Sequence, residues 1–152
     1  VKACKIKEKL MKIGIIGTGR WASTMAWLCA QNGHNVLAWE KIFEGKTESD
    51  FFKTKKNSYV DLTNYDKLNF THDLEKVLNF GDYVIISILS QSVDELMQDV
   101  KKVKGYENKH YILAMKGIEQ TTGRTLSEIL LANGVNKQNI CVLAGPVTHN
   151  QL

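Results

Sequence analysis

Gly17-Thr18-Gly19-Arg20-Trp21-Ala22 is the segment of the chain best equipped for chemistry. It matches the spacing G-x-G-x-x-G/A. The first glycine permits a tight turn, the second lets the backbone approach a pyrophosphate, and a small third residue lets a helix pack close on a strand. The free N–H groups at the helix start then face an anion. A lone match of this kind is weak evidence, and a glycine-bearing turn between a strand and a helix is the alternative. Here the motif follows an apolar run, opens an amphipathic stretch and is followed by a second apolar run, which is the context that favours a dinucleotide clamp.

Other candidates stand at the ends of later apolar runs. Glu40 lies 23 positions after Gly17, near the spacing at which an acid bonds the adenosine ribose hydroxyls. Lys41 beside it could instead attract a 2′-phosphate, and the two could also form an exposed ion pair with each other, so NAD against NADP stays open. Lys116-Gly117 could orient a substrate oxygen or neutralise a phosphate, although a lysine is more often simply exposed. Ser90-Gln91 could contact a cofactor or cap the next helix. Gly145-Pro146 belongs to the same series. In an open parallel sheet, ligands sit outside the carboxyl ends of the strands, so the turns at 17–22, 89–92, 116–117 and 145–148 converge on one crevice.

The elements that position these turns follow from periodicity. Strands are predicted at Lys12–Ile16, Val36–Trp39, Asn69–Thr71, Tyr83–Leu89, Tyr111–Ala114 and Ile140–Ala144. Tyr83–Leu89 is apolar nearly throughout, as suits a strand buried on both faces. Helices are predicted at Trp21–Gln31, near 47–56, at Leu74–Asn79, from Ser92 to about Val103, and at Thr125–Ala132. Trp21, Met25, Leu28 and Cys29 share one face of the first. Asn32-Gly33 and Asn133-Gly134 supply helix stops. Ser92-x-x-Glu95 fits a capping box, in which the hydroxyl and the carboxylate satisfy free backbone N–H groups. Strands alternating with helices imply βαβ crossovers and an α/β fold, its parallel sheet covered on both faces.

The whole chain agrees with one domain. Its 152 residues are 43% hydrophobic and 24% charged, with a net charge of +4. That mild excess permits an anionic ligand without arguing for nucleic acid. The lysines at 53, 55, 56 and 67 lie in the most polar region and read as solvated. Cys4, Cys29 and Cys141 have no metal-like spacing and the four histidines are scattered, so no metal site is expected. Reduced, mostly buried thiols in a cytoplasmic setting are expected instead. No apolar stretch approaches the roughly 18 residues of a membrane span, and no membrane partner is expected. Residues 1–10 are basic without the apolar core of a signal peptide. Met11 precedes the first strand, so 1–10 are expected to be an extension and 11–152 the domain.

In several places the chain resembles one family, the bacterial-type NAD(P)-dependent glycerol-3-phosphate dehydrogenases. The matching segments are IGIIGTGRWASTMAWLCAQNGHNVLAWE, KNSYV, ISILSQSV, MKGIEQTTGRTLSEIL and VLAGPVTHNQL. KGIE-x-x-TGR-x-LSE is the most specific of them. The resemblance spans about residues 11–152 and only the amino-terminal part of the family's length.

It implies a Rossmann-type doubly wound sheet of about six strands and reduction of dihydroxyacetone phosphate to sn-glycerol 3-phosphate for phospholipid synthesis, with NAD or NADP as cofactor. Gly17, Gly19, Arg20 and Trp21 then hold the pyrophosphate and its neighbourhood, and Lys41 falls where the family often has a basic residue near the adenosine ribose. Lys116 falls on the first active-site lysine, in contact with cofactor and substrate. Gly145 falls on a substrate-contacting glycine, Thr148 could supply the family's substrate hydroxyl if the turn slips by one residue, and His149 falls at a cofactor contact. The chain departs from the family at Leu89, where proline is usual, at Val147, where serine or threonine is usual, at Asp61-Leu62, where Leu-Pro is usual, and at His149, where a small residue is usual.

The family's second lysine, its proton donor and acceptor, lies in a carboxyl-terminal helical domain outside these residues. By that resemblance the chain is the cofactor domain of a longer enzyme, ending before the domain's last strands. It is expected to turn over little alone and to be homodimeric at full length. Two other readings compete: a non-catalytic NAD(H)-binding sensor, and another dehydrogenase with the same opening motif, against which the KGIE–TGR block argues.

Overall fold

The structure, a computed structural model, describes residues 9–144. In chain order the elements are β1 (Lys12–Ile16), α1 (Arg20–Gln31), β2 (Asn35–Trp39), α2 (Asp50–Thr54), β3 (Leu68–Thr71), α3 (Leu74–Phe80), β4 (Tyr83–Ile86), α4 (Val93–Val100), β5 (His110–Leu113), α5 (Leu126–Ala132) and β6 (Ile140–Val142). The six strands form one sheet in the order β3-β2-β1-β4-β5-β6. Every neighbouring pair is parallel. This is the doubly wound dinucleotide-binding order, and the direction of winding reverses between β1 and β4.

The strand side chains alternate between two cores. Ile16, Leu37, Trp39, Val84, Ile86, Tyr111 and Leu113 face α3, α4 and α5. Ile13, Ile15, Val36, Ala38 and Ile85 face the other way, toward α1, Phe51 of α2 and Leu62. Each fully buried isoleucine or leucine contributes about 1.5–3 kcal/mol by leaving water.

The contact of α1 with the sheet differs from the stripe predicted at Trp21, Met25, Leu28 and Cys29. The buried side is Ala22, Ser23, Ala26 and Ala30. Small residues let the helix axis lie close to the strands, so Trp21 and Met25 are left to line an open cleft. The buried Ser23 hydroxyl donates to the Arg20 carbonyl at 2.8 Å and accepts from Asn57 Nδ2 at 2.9 Å.

Several predicted boundaries move. The strand expected over Tyr83–Leu89 stops at Ile86, because its neighbour β1 ends at Ile16 and turns away at Gly17. Ile88 and Leu89 face the cleft instead. The helix expected near 47–56 shortens to α2, with Ser49 as its N-cap accepting from the Phe52 N–H at 3.1 Å. The helix expected to reach Val103 ends at Val100.

The predicted Ser92–Glu95 capping box does not form. Ser92 closes a 3₁₀ turn with φ −93° and ψ 0°, not the extended backbone of an N-cap, and makes no side-chain cap bond. The capping box lies at Thr125–Glu128, where the N-cap is extended at φ −68° and ψ 156°. The thiols among the described residues are not mostly buried: Cys29 is half-buried and Cys141, on the edge strand β6 of the described sheet, is exposed, while Cys4 lies outside the described residues. Among the described residues, no helix is long and apolar enough to cross a membrane.

Candidate cofactor site

The carboxyl ends of the strands open into a cleft of about 1280 Å³. That exceeds the roughly 300–1,000 Å³ typical of drug-sized pockets. It runs from the end of β2 (Trp39, Glu40, Lys41), past the turn after β1 and the segment after β4 (Ser87, Ile88, Leu89), to the ends of β5 and β6 (Lys116, Leu143). Gly17, Thr18, Gly19, Arg20 and Trp21 form its middle wall.

The glycine turn is shaped by its neighbours. Gly17 has φ +119°, and a Cβ there would collide with the Ser87 carbonyl oxygen across the β1–β4 junction. Its N–H donates to the Trp39 carbonyl at 2.9 Å, tying the turn to β2. Gly19 is the N-cap of α1, and a Cβ there would meet nothing within 4 Å. No side chain caps α1 and no acid sits in its first turn. The result is an open cradle with the positive end of a twelve-residue helix aimed into it. A pyrophosphate fits the donor set, and Gly19 leaves the room it needs.

Glu40 does not pair with Lys41. Its Oε1 accepts from the Thr18 hydroxyl at 2.9 Å and its Oε2 from the Ser49 N–H at 3.0 Å. Partial burial pushes its pKa up, but the bonds from Ser49 and Thr18, with His72 nearby, outweigh this and lower it. The carboxylate is thus fixed and charged at the end of β2. Lys41 reaches away from it, to Glu95 of α4 at 2.6 Å. Arg20 stacks over the Tyr59 ring at 5.0 Å.

Lys116 lines the far end of the cleft on an exposed loop. Ser90 does not line the cleft; it packs beneath that loop. Gly117 has φ +119°, and a Cβ on it would press on Ser90 Oγ at 2.9 Å. Gln91 clasps the loop from both sides, donating to the Ile118 carbonyl at 2.9 Å and accepting from the Gln120 N–H at 2.9 Å. Ser90-Gln91 thus holds Lys116 in place. Glu119 closes the loop on itself, accepting from the N–H groups of Thr121 and Thr122, each at 2.7 Å, and from the Thr122 hydroxyl. The Thr122 hydroxyl and the Thr121 N–H bring its pKa down to about 2. Gly145, Thr148 and His149 lie outside the described residues.

Residues 12–150 match the family described as NAD-dependent glycerol-3-phosphate dehydrogenase N-terminus. The chain belongs to this family. A glycerol-3-phosphate dehydrogenase [NAD(P)+] of Staphylococcus epidermidis is 30% identical over 139 residues, covering 90% of this chain and 42% of the relative. One from Macrococcus caseolyticus is 27% identical over the same shares. The chain thus spans about two fifths of the length of the curated relatives it matches.

The crystal structure of the Coxiella burnetii glycerol-3-phosphate dehydrogenase shares the fold, with a TM-score of 0.66 at 21% identity over 88% of this chain and 39% of that one. A lactate dehydrogenase from Eimeria maxima has a TM-score of 0.61 over 91% of this chain and 44% of its own. The fold alone therefore does not separate the glycerol-3-phosphate dehydrogenase family from other dehydrogenases; the sequence match does.

The family's KNSYV segment has a visible use here. Asn57 Oδ1 accepts from the N–H groups of Tyr59 and Val60, at 2.8 and 3.0 Å. Its amide meanwhile bonds Ser23 of α1. This clasp sets Tyr59 and Val60 on the cleft wall. Tyr59, Phe43 and Glu95 were not among the candidates from sequence. Only the KNSYV match pointed toward the first, and nothing local marks the other two.

Proposed function

We propose that residues 11–152 form the amino-terminal cofactor domain of an sn-glycerol-3-phosphate dehydrogenase, reducing dihydroxyacetone phosphate with NADH or NADPH, with residues 1–10 an extension ahead of it. The observation that carries this reading is the open glycine cradle at the β1–β4 reversal, in a chain of this family. The chemistry a nicotinamide cofactor supplies when bound is hydride transfer.

The chain's own residues would bind and orient. The backbone N–H groups at Gly19 and the start of α1 would take the pyrophosphate, with Arg20 and Trp21 beside it. Glu40, its carboxylate already held by Thr18 and Ser49, would accept from the ribose hydroxyls. Lys116 would orient the substrate oxygen and stabilise charge developing on it. Its aim depends on the Ser90-Gln91 clasp and on the Glu119-closed loop. Gly145, Thr148 and His149 are proposed for the substrate and cofactor end on the family resemblance alone. Proton transfer falls to a lysine of the carboxyl-terminal domain.

Two measurements test this. Titrating NADH into the protein should give a saturable rise in nicotinamide fluorescence, and no rise would remove the cofactor reading. In the full-length enzyme, dihydroxyacetone phosphate should drive NADH or NADPH oxidation, and Lys116→Ala should cut turnover about a hundredfold or more, as loss of an oxyanion-stabilising group does. No oxidation with that substrate would sink the substrate assignment.

A further inference from the structure

The β2 end of the cleft carries an ion pair that the function above does not use. Lys41, just past β2, places Nζ 2.6 Å from Oε1 of Glu95 in the first turn of α4, 54 positions away. Both residues line the cleft, and the pair joins the end of β2 to the start of α4. Phe43 lies under the lysine, its ring centroid 5.7 Å from Nζ. Asp99, one turn further along α4, lines the same wall. Glu40, fixed and charged, lies on the opposite side. Arg20 is occupied over Tyr59. Asp99 is paired with Lys102 at 2.7 Å, so the carboxylate that engages Lys41 is Glu95.

We propose that Glu95 is a specificity-determining residue: by neutralising Lys41 it holds the cleft to NAD(H) and against NADP(H). The proposal rests on the dinucleotide reading of the cleft and extends it to the choice of nucleotide. The two cofactors differ by one 2′-phosphate on the adenosine ribose, which the end of β2 reads. A phosphate there needs a cation free to meet it. Lys41 can answer only by leaving Glu95, and the phosphate then sits beside an uncompensated Glu95 as well as Glu40. NAD(H) asks for neither change.

The test is a titration of the protein with NADH and with NADPH, read by nicotinamide fluorescence. Wild type should prefer NADH. Glu95→Gln should raise NADPH affinity about three- to tenfold, in keeping with an exposed and salt-screened pair, and leave NADH affinity within about twofold. Adding Lys41→Ala to Glu95→Gln should abolish the gain, and about 0.5 M salt should erase most of it. Glu95→Asp should keep the NADH preference. An NADPH preference in wild type, or an unchanged NADPH-to-NADH ratio in Glu95→Gln, overturns the proposal while leaving the dinucleotide reading intact. Binding of neither nucleotide by wild type overturns both.

Discussion

The turn after β1 carries the glycine motif and the loop after β5 the KGIE–TGR motif, and the two use their polar groups in opposite ways. Around Gly17–Ala22, the start of α1 has no capping side chain and Gly19 borders open space. Between Lys116 and Thr125, nearly every polar group is engaged at home. Glu119 takes the Thr121 and Thr122 donors, Arg124 Nε donates to the Thr122 hydroxyl at 2.9 Å, and Thr125 closes a capping box with Glu128. The first motif leaves the start of α1 without a capping side chain. The second uses its polar groups to hold one exposed lysine at a set place on the rim. Two motifs at the same edge of the sheet can therefore differ in local design, one left open and the other closed on itself, and hydrogen-bond satisfaction tells them apart.

Substitutions can break this contrast. The largest effect is expected from Gly17→Ala, which puts a Cβ against the Ser87 carbonyl at a positive φ. It should cost about 3 kcal/mol or more in urea unfolding. A loss under about 1 kcal/mol would show that the β1–β4 junction can give way.

Next comes Glu119→Ala, which strips three donors of their acceptor. It should lower the melting temperature at neutral pH. The Glu119 carboxyl titrates near 2 in the folded chain, below its ordinary 4.5. Its contribution is therefore full above about pH 4.5 and is lost as pH falls toward 2. The variant should lack that part of the acid destabilisation, and a pH profile identical to wild type would remove Glu119 from the frame.

Gly19→Ser should separate fold from ligand. Serine is a good N-cap, so stability should stay within about 0.5 kcal/mol. The new hydroxyl would occupy the cradle and lower NADH affinity roughly tenfold, or about 1.4 kcal/mol. Unchanged affinity would mean that the pyrophosphate does not use this turn. Thr125→Ala should have the smallest effect, about 1 kcal/mol by thermal melting, from loss of the cap. It should not change NADH affinity, and a parallel loss there would tie the frame to the cradle more closely than the geometry implies.

Much of this was readable in the residues. The glycine spacing, the apolar runs flanking it and the alternation of elements led to the α/β sheet and placed the glycine turn between β1 and α1. Local patterns sufficed because strand period, helix period and turn chemistry are short-range properties. The same local logic failed at Ser92–Glu95. Ser-x-x-Glu and Thr-x-x-Glu look alike, but only Thr125 has the extended backbone that a cap requires, and Glu95 is drawn to Lys41 across the cleft. On α1 it was right only in part: Ala22, Ser23, Ala26 and Ala30 make the buried contact, with Trp21, Met25 and Cys29 packed beside them.

Sequence order and side-chain chemistry were enough to specify which turns gather at the carboxyl edge of the sheet, because parallel strands place all their carboxyl ends at one edge. Which partner each polar group takes there was decided by folding. Lys41 with Glu95, Asn57 with Ser23, and Gln91 with the Lys116 loop join residues 27 to 54 positions apart. Contacts of that range depend on where whole elements pack, and no local pattern encodes them.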